Sequence, residues 1–100
     1  MPADPKVGRD RRRVIVENVQ PEIDGGRFPG KRVVGEAVVV EADIYTDGHE
    51  AISARLLFKH ERDRRWREQS LEPLGNDRWR ASFIVDRLGT FRYTVEAWHD

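Results

Sequence analysis

The sequence predicts an all-β fold, an antiparallel β-sandwich of about seven strands, and three observations carry that prediction. Apolar and polar residues alternate through several short segments, the pattern of strands with one face in a core and the other in water. Clusters of Gly, Pro, Asn and Asp separate these segments at turn-like intervals. No long segment repeats its apolar positions with the 3.6-residue period of a helix.

Along the chain, Pro2, Pro5, Gly8 and an arginine cluster beginning at Arg9 make residues 1–12 a flexible N-terminal tail, with a single domain expected over 13–100. Val14 to Val19 is short and β-branched, and Pro21 closes it because proline cannot donate to a ladder. Asp24 to Arg32 holds three glycines and a proline and reads as a loop. Val33 to Tyr45 is the strongest strand signal, with Val38, Val40, Ala42 and Ile44 on one face and Val39, Glu41 and Asp43 on the other. After turn chemistry at Asp47-Gly48, Ala54, Leu56 and Phe58 alternate with Arg55, Leu57 and Lys59.

Five consecutive charges from Glu61 to Arg65 mark a hairpin loop, and Trp66 to Glu72 returns as a shorter strand before Pro73. Gly75-Asn76-Asp77 turns the chain again. Trp79, Ala81, Phe83 and Val85 then alternate with polar neighbours, and in the last strand Phe91, Tyr93, Val95 and Ala97 oppose Arg92, Thr94, Glu96 and Trp98. The expected core is Val38, Val40, Ile44, Leu56, Phe58, Trp79, Phe83, Phe91, Tyr93 and Val95. Short strands spaced by turns fit two sheets packed face to face, an immunoglobulin/fibronectin-like antiparallel β-sandwich. With no cysteine in the chain, the immunoglobulin disulfide is excluded, which leaves the fibronectin-like and enzyme-appended forms.

Composition narrows the function. Lysine and arginine number 18, as do aspartate and glutamate, and neither half of the chain is strongly basic or acidic. Sequence-independent nucleic-acid binding needs a concentrated positive field, so no nucleic acid and no membrane are expected as partners. The absence of cysteine and of an apolar N-terminal stretch fits a cytoplasmic setting.

The candidate chemistry is sparse. Glu41 and Asp43 share a strand face, but they alternate with core residues on a sheet exterior, where solvation explains them better than a catalytic dyad. Asp47-Gly48-His49-Glu50 places three potential ligands together, yet a calcium loop needs more oxygens and a zinc site needs ligands from elsewhere, so a turn is the better reading. Gly25, Gly26 and Gly30 precede a valine-rich strand rather than a helix, which removes the phosphate-cradle reading. No catalytic residue, metal or cofactor is expected.

Among the tryptophans, Trp79 is expected in the core, while Trp66 and Trp98 are candidate carbohydrate contacts that pack more readily against a neighbouring surface. Arg78, Arg80 and Arg92 form a candidate outward stripe that Glu68 and Glu96 would neutralise.

Two segments carry a resemblance: Glu17-Asn18-Val19-Gln20-Pro21-Glu22-Ile23-Asp24-Gly25-Gly26-Arg27-Phe28-Pro29, followed by Lys31-Arg32-Val33-Val34-Gly35-Glu36. They are similar to the opening of bacterial α-1,4-glucan:maltose-1-phosphate maltosyltransferases of the α-amylase superfamily. Glu72 to Trp79 and Tyr93 to Trp98 resemble the continuation of the same N-terminal domain. The resemblance implies a parent enzyme that transfers maltosyl units from maltose 1-phosphate to a glucan, with its catalytic carboxylates on a (β/α)₈ barrel. Such a barrel takes about 250 residues, which this chain does not contain.

The chain is therefore expected to be a non-catalytic accessory domain of a larger enzyme. Its partners would be the catalytic barrel of the same polypeptide and, in a homodimer, a second subunit. Arg27, Phe28, Lys31 and Arg32 are the expected interface, with Phe28 as apolar anchor and the cations for carboxylates. The alternative is an α-glucan-binding module, since Gly89-Thr90-Phe91-Arg92-Tyr93 is similar to a strand of the starch modules of branching and debranching enzymes.

Overall fold

The computed structural model describes residues 14–21, 33–47 and 51–100. Seven strands lie in this part of the chain: β1 Val14–Gln20, β2 Ala37–Thr46, β3 Ile52–His60, β4 Arg67–Ser70, β5 Glu72–Gly75, β6 Arg78–Ile84 and β7 Phe91–His99. No helix occurs among the described residues. One sheet has the order β1-β2-β6-β5 and the other β4-β3-β7, with every pairing antiparallel. That order is the strand arrangement of an immunoglobulin-like sandwich, in which the second and third strands belong to opposite sheets. The tail 1–12 and the loop Asp24 to Arg32, with Arg27, Phe28, Lys31 and Arg32, lie outside the described residues, as do Gly48 to Glu50.

Alternation sets the core. Val38, Val40, Ala42 and Ile44 of β2, Ala54, Leu56 and Phe58 of β3, Phe83 of β6, and Phe91 and Tyr93 of β7 are all buried, because a strand sends every second side chain to the same face. Trp79 and Val95 are partly buried and pack on that cluster. Phe83 sits at its centre. Its ring stacks on Phe58 of the opposite sheet with centroids 4.6 Å apart, and Phe91 and Tyr93 lie at 5.7 and 6.3 Å. The Tyr93 hydroxyl donates to the Pro21 carbonyl and so ties β7 to the end of β1.

Three details depart from the sequence reading. Strand β2 begins at Ala37 rather than Val33. Gly35 takes φ +97°, a left-handed conformation that breaks the extended run, and the Glu36 N–H closes a turn onto the Val33 carbonyl at 3.0 Å. The segment expected as one strand from Trp66 to Glu72 splits at Leu71, which crosses from one sheet to the other. Leu71 is buried and its N–H donates to the Ala54 carbonyl at 3.0 Å.

Third, Pro73 does not end a strand but lies within β5, opposite Trp79. Because β5 is the terminal strand of its sheet, the missing proline N–H costs no ladder bond there. At the next turn, Asn76 and Asp77 both have positive φ, as a tight two-residue hairpin requires.

The register yields a direct test. Phe83→Ala should lower stability by about 3 to 5 kcal/mol in urea unfolding, whereas the adjacent, outward Ile84→Ala should stay within about 0.5 kcal/mol. Equal costs would show that the two faces of β6 are misassigned.

Candidate functional site

Strand direction decides which connections share an end of the sandwich. His60 closes β3 opposite Phe91 at the start of β7, and Arg67 opens β4 opposite Phe58. Ile84 closes β6 opposite Ala37 at the start of β2. The 33–36 turn, the 61–66 hairpin loop and the 85–90 connection therefore meet at one pole. The Gly35 N–H donates to the Val85 carbonyl at 2.7 Å and the Val85 N–H to the Glu36 carbonyl at 2.9 Å, which fastens the turn to the end of β6.

His60 joins the other two segments. It continues the inward alternation of β3 and is 2% exposed, with its ring edge-on to Phe91 at 5.0 Å. Its Nε2 lies 2.6 Å from the Leu88 carbonyl and its Nδ1 is 3.0 Å from the Arg62 N–H. An acceptor on one nitrogen and a donor on the other select the tautomer protonated at Nε2. Gly89 allows the approach: it has φ +124°, and a Cβ there would stand 2.5 Å from His60 Nε2. The Glu61 N–H donates to the Thr90 carbonyl at 2.8 Å, and the Thr90 N–H donates to the Glu61 carboxylate at 3.2 Å.

Ion pairs complete the frame. The Asp63 carboxylate accepts the His60 N–H at 2.9 Å and pairs with Arg87, while Arg67 pairs with Asp86 at 2.8 Å. The His60 N–H, then Arg87 and Arg67, hold the Asp63 carboxyl below its ordinary range. The Arg67 bond does the same for Asp86.

On this frame the pole displays apolar side chains. Val33 and Leu88 are each 71% exposed, and Val34, Ile84 and Trp66 are exposed at the same end, Ile84 on the outer side of the four-stranded sheet and Trp66 beside Lys59 of the other. Single exposed apolar residues are ordinary, but several collected at one end of a small domain mark an interaction surface. Val33 and Val34 directly follow Lys31 and Arg32 in sequence, so this surface adjoins the segment expected to dock. Sequence reading placed Val33 and Val34 in a strand and missed their display, because the left-handed Gly35 leaves no mark in hydrophobic periodicity.

A second candidate lies on the outer face of the three-stranded sheet. Arg55 donates to Glu68 at 2.6 Å and to Glu96 at 2.8 Å, and its guanidinium lies 5.5 Å from the centroid of the Trp98 ring. Arg55, Glu68 and Trp98, with Ser53, Gln69, Ser70 and Trp79, line a groove of about 560 Å³. Trp66 occupies the far end of the same face, six residues along β3 and so about 20 Å away. The Lys59 ammonium sits 5.1 Å from its ring centroid.

The expected arginine stripe does not form. Arg78 and Arg80 lie in the four-stranded sheet and Arg92 in the other, and it is Arg55 that Glu68 and Glu96 hold. Arg78 instead binds both Glu41 and Asp43, at 3.1 and 3.0 Å. Asp43 also accepts from the Asn18 amide at 2.8 Å, and that bond and Arg78 lower its pKa. A carboxylate bound in this way is neither a free nucleophile nor a proton donor. Among the described residues no group of three or more metal-ligating side chains converges, and no helix is long and apolar enough to cross a membrane.

The depressed carboxyls at the pole fix a pH dependence. A carboxyl whose folded pKa lies below its unfolded value, about 3.9 for Asp, contributes stability that is fully present above that value and lost as pH falls through the folded one. Urea midpoints followed downward from about pH 5 should therefore decline below about pH 4, and Asp63→Asn should make the decline shallower. An unchanged slope would remove Asp63 from the frame.

The chain matches the family model "Alpha-1,4-glucan:maltose-1-phosphate maltosyltransferase, domain N/S" over residues 12–100. It is 51% identical over 90 residues to the alpha-1,4-glucan:maltose-1-phosphate maltosyltransferase of Chlorobaculum tepidum, covering 90% of this chain and 13% of that protein. The proteins of the same name from Methylacidiphilum infernorum and Myxococcus xanthus are 43% and 42% identical, covering 90% and 87% of this chain and 14% of each relative. The chain thus spans about one seventh of the length of the curated relatives it matches. A match that takes in all seven strands and both sheets shows that the chain belongs to the domain N/S family of alpha-1,4-glucan:maltose-1-phosphate maltosyltransferases.

Proposed function

We propose that this chain is a non-catalytic accessory domain of a maltosyltransferase that extends α-1,4-glucans from maltose 1-phosphate, and that it acts by docking on the catalytic part of the same polypeptide and supporting subunit association. The observation that carries the reading is the apolar pole, where Val33, Val34, Trp66, Ile84 and Leu88 stand in water on a frame built around His60. Exposed large apolar side chains with arginines at the same end match the composition of interface cores and hot spots. The relatives are several times longer than this chain, which provides a surface for the pole to meet. A cytoplasmic setting and a homodimeric parent belong to the same reading and rest on composition and resemblance.

The test is made in the full-length protein. Ile84→Asp combined with Leu88→Asp should loosen docking, seen as faster proteolysis between this domain and the rest, or should reduce dimer mass in light scattering. Both side chains point away from the core, so the 100-residue chain should keep its urea midpoint. Unchanged proteolysis and mass with a folded variant domain would sink the docking reading.

The second reading, a glucan-binding module, is favoured by one observation: Trp66 and Trp98 are both 43% exposed on one sheet face. Against it, a cation approaches each ring, whereas a stacking platform needs a bare ring face. In a titration of the chain with malto-oligosaccharide, the two indole N–H resonances should stay fixed below millimolar sugar, where binding is worth only about 4 kcal/mol. Saturable shifts at lower concentration would establish the module reading.

A further inference from the structure

The chain is neutral as a whole, with 18 cationic and 18 anionic side chains, but its charges are not mixed. At the pole, Arg67 and Arg87 are committed to Asp86 and Asp63. The pole's carboxylates are occupied from within: Glu36 takes the Val33 N–H, Glu61 the Thr90 N–H, and Asp63 the His60 N–H. Lys59, Arg62, Arg64, Arg65 and Arg92 pair with no carboxylate among the described residues. Away from the pole the described residues hold three arginines against nine carboxylates, so among the described residues this end is basic and the remainder acidic.

Resting on the docking reading above, we propose that the surface met by this pole is an acidic protein face with apolar pockets, belonging to the remainder of the same polypeptide. Three features select this chemistry. Four of the five unpaired cations are arginines, whose planar fork takes carboxylates two bonds at a time. Trp66 stands beside Lys59, and Ile84 and Leu88 are exposed at the same end; all three need apolar pockets, which a protein face supplies and a phosphate backbone does not. The carboxylates built into the same pole would repel a polyanion lying across it, whereas an interface with discrete acidic groups can be placed around them.

The experiment is hydrogen exchange of the peptides spanning 61–67 and 84–90, in the full-length protein and in the 100-residue chain. These peptides should exchange more slowly in the full-length protein. The difference should shrink as salt rises from about 0.1 M to about 1 M, which cuts the Debye length from about 10 to about 3 Å. Arg64→Glu with Arg65→Glu at the hairpin tip, or Arg62→Glu with Arg92→Glu should the first pair fail to fold, should raise exchange in the full-length protein about tenfold, because like charges then face each other.

If Ile84→Asp with Leu88→Asp abolishes the protection while charge reversal and salt leave it intact, docking stands and the acidic face is overturned. If both peptides exchange alike in the two proteins, both readings fall. Protection that appears in the 100-residue chain as its own concentration rises assigns the pole to a second copy and overturns the proposal.

Discussion

One buried imidazole holds the candidate site together. His60 bonds the Leu88 carbonyl through Nε2 and takes the Arg62 N–H on Nδ1, so two of the three connections at the pole are fixed to the same ring. A buried polar side chain is costly unless its hydrogen-bonding atoms are used, and here both ring nitrogens are used. The left-handed Gly89 is the companion constraint: any Cβ at that position would collide with the ring that the loop is folded around. Without this junction, the Arg62–Trp66 tip and the Leu88 loop would be separate excursions from two hairpins. With it they present one surface, on which exposed apolar groups and unpaired cations hold fixed relative positions.

How far the sequence exposes this arrangement depends on the kind of signal. Alternation within a strand is a local property, and it places Val38, Val40, Leu56, Phe83 and Phe91 inside and Trp98 and Glu96 outside. It even points to His60, which falls on the same parity as Ala54, Leu56 and Phe58, although a histidine at a strand end is more naturally read as solvated. Which sheet a strand joins is a non-local property. Arg78, Arg80 and Arg92 all point outward, yet they belong to different sheets and never form a stripe. The same limit carries the expected strand from Trp66 through Leu71 to Glu72, since nothing local to Leu71 says that the chain changes sheets there. Pro73 reads as a terminator because the sequence does not announce an edge strand, where proline is tolerated.

Net charge illustrates the difference between a sum and a distribution. A balanced count argues against a polyanion ligand for the whole chain, and that argument stands at long range, where screening averages the field. It does not describe one end of a domain a few nanometres across. The hairpin loop is legible from its run of charges, but the matching property, that its carboxylates are taken up by backbone amides and by neighbouring arginines, is tertiary. Once Glu61 and Asp63 are engaged internally, Arg62, Arg64 and Arg65 are left to face outward.

The two tryptophans then divide by context rather than by exposure, which is the same for both. Trp98 lies on a flat sheet face beside an arginine already held by two carboxylates, so the group that approaches its ring is itself anchored and would resist displacement by a sugar. Trp66 is approached by Lys59, whose ammonium has no carboxylate to hold it and sits on a flexible stem. A partner that brings its own carboxylate can draw Lys59 away and open the Trp66 ring for apolar contact in the same step. Charge and burial are therefore coupled at the pole and uncoupled at Trp98, and that coupling is what separates a protein-docking surface from a carbohydrate platform on this small sandwich.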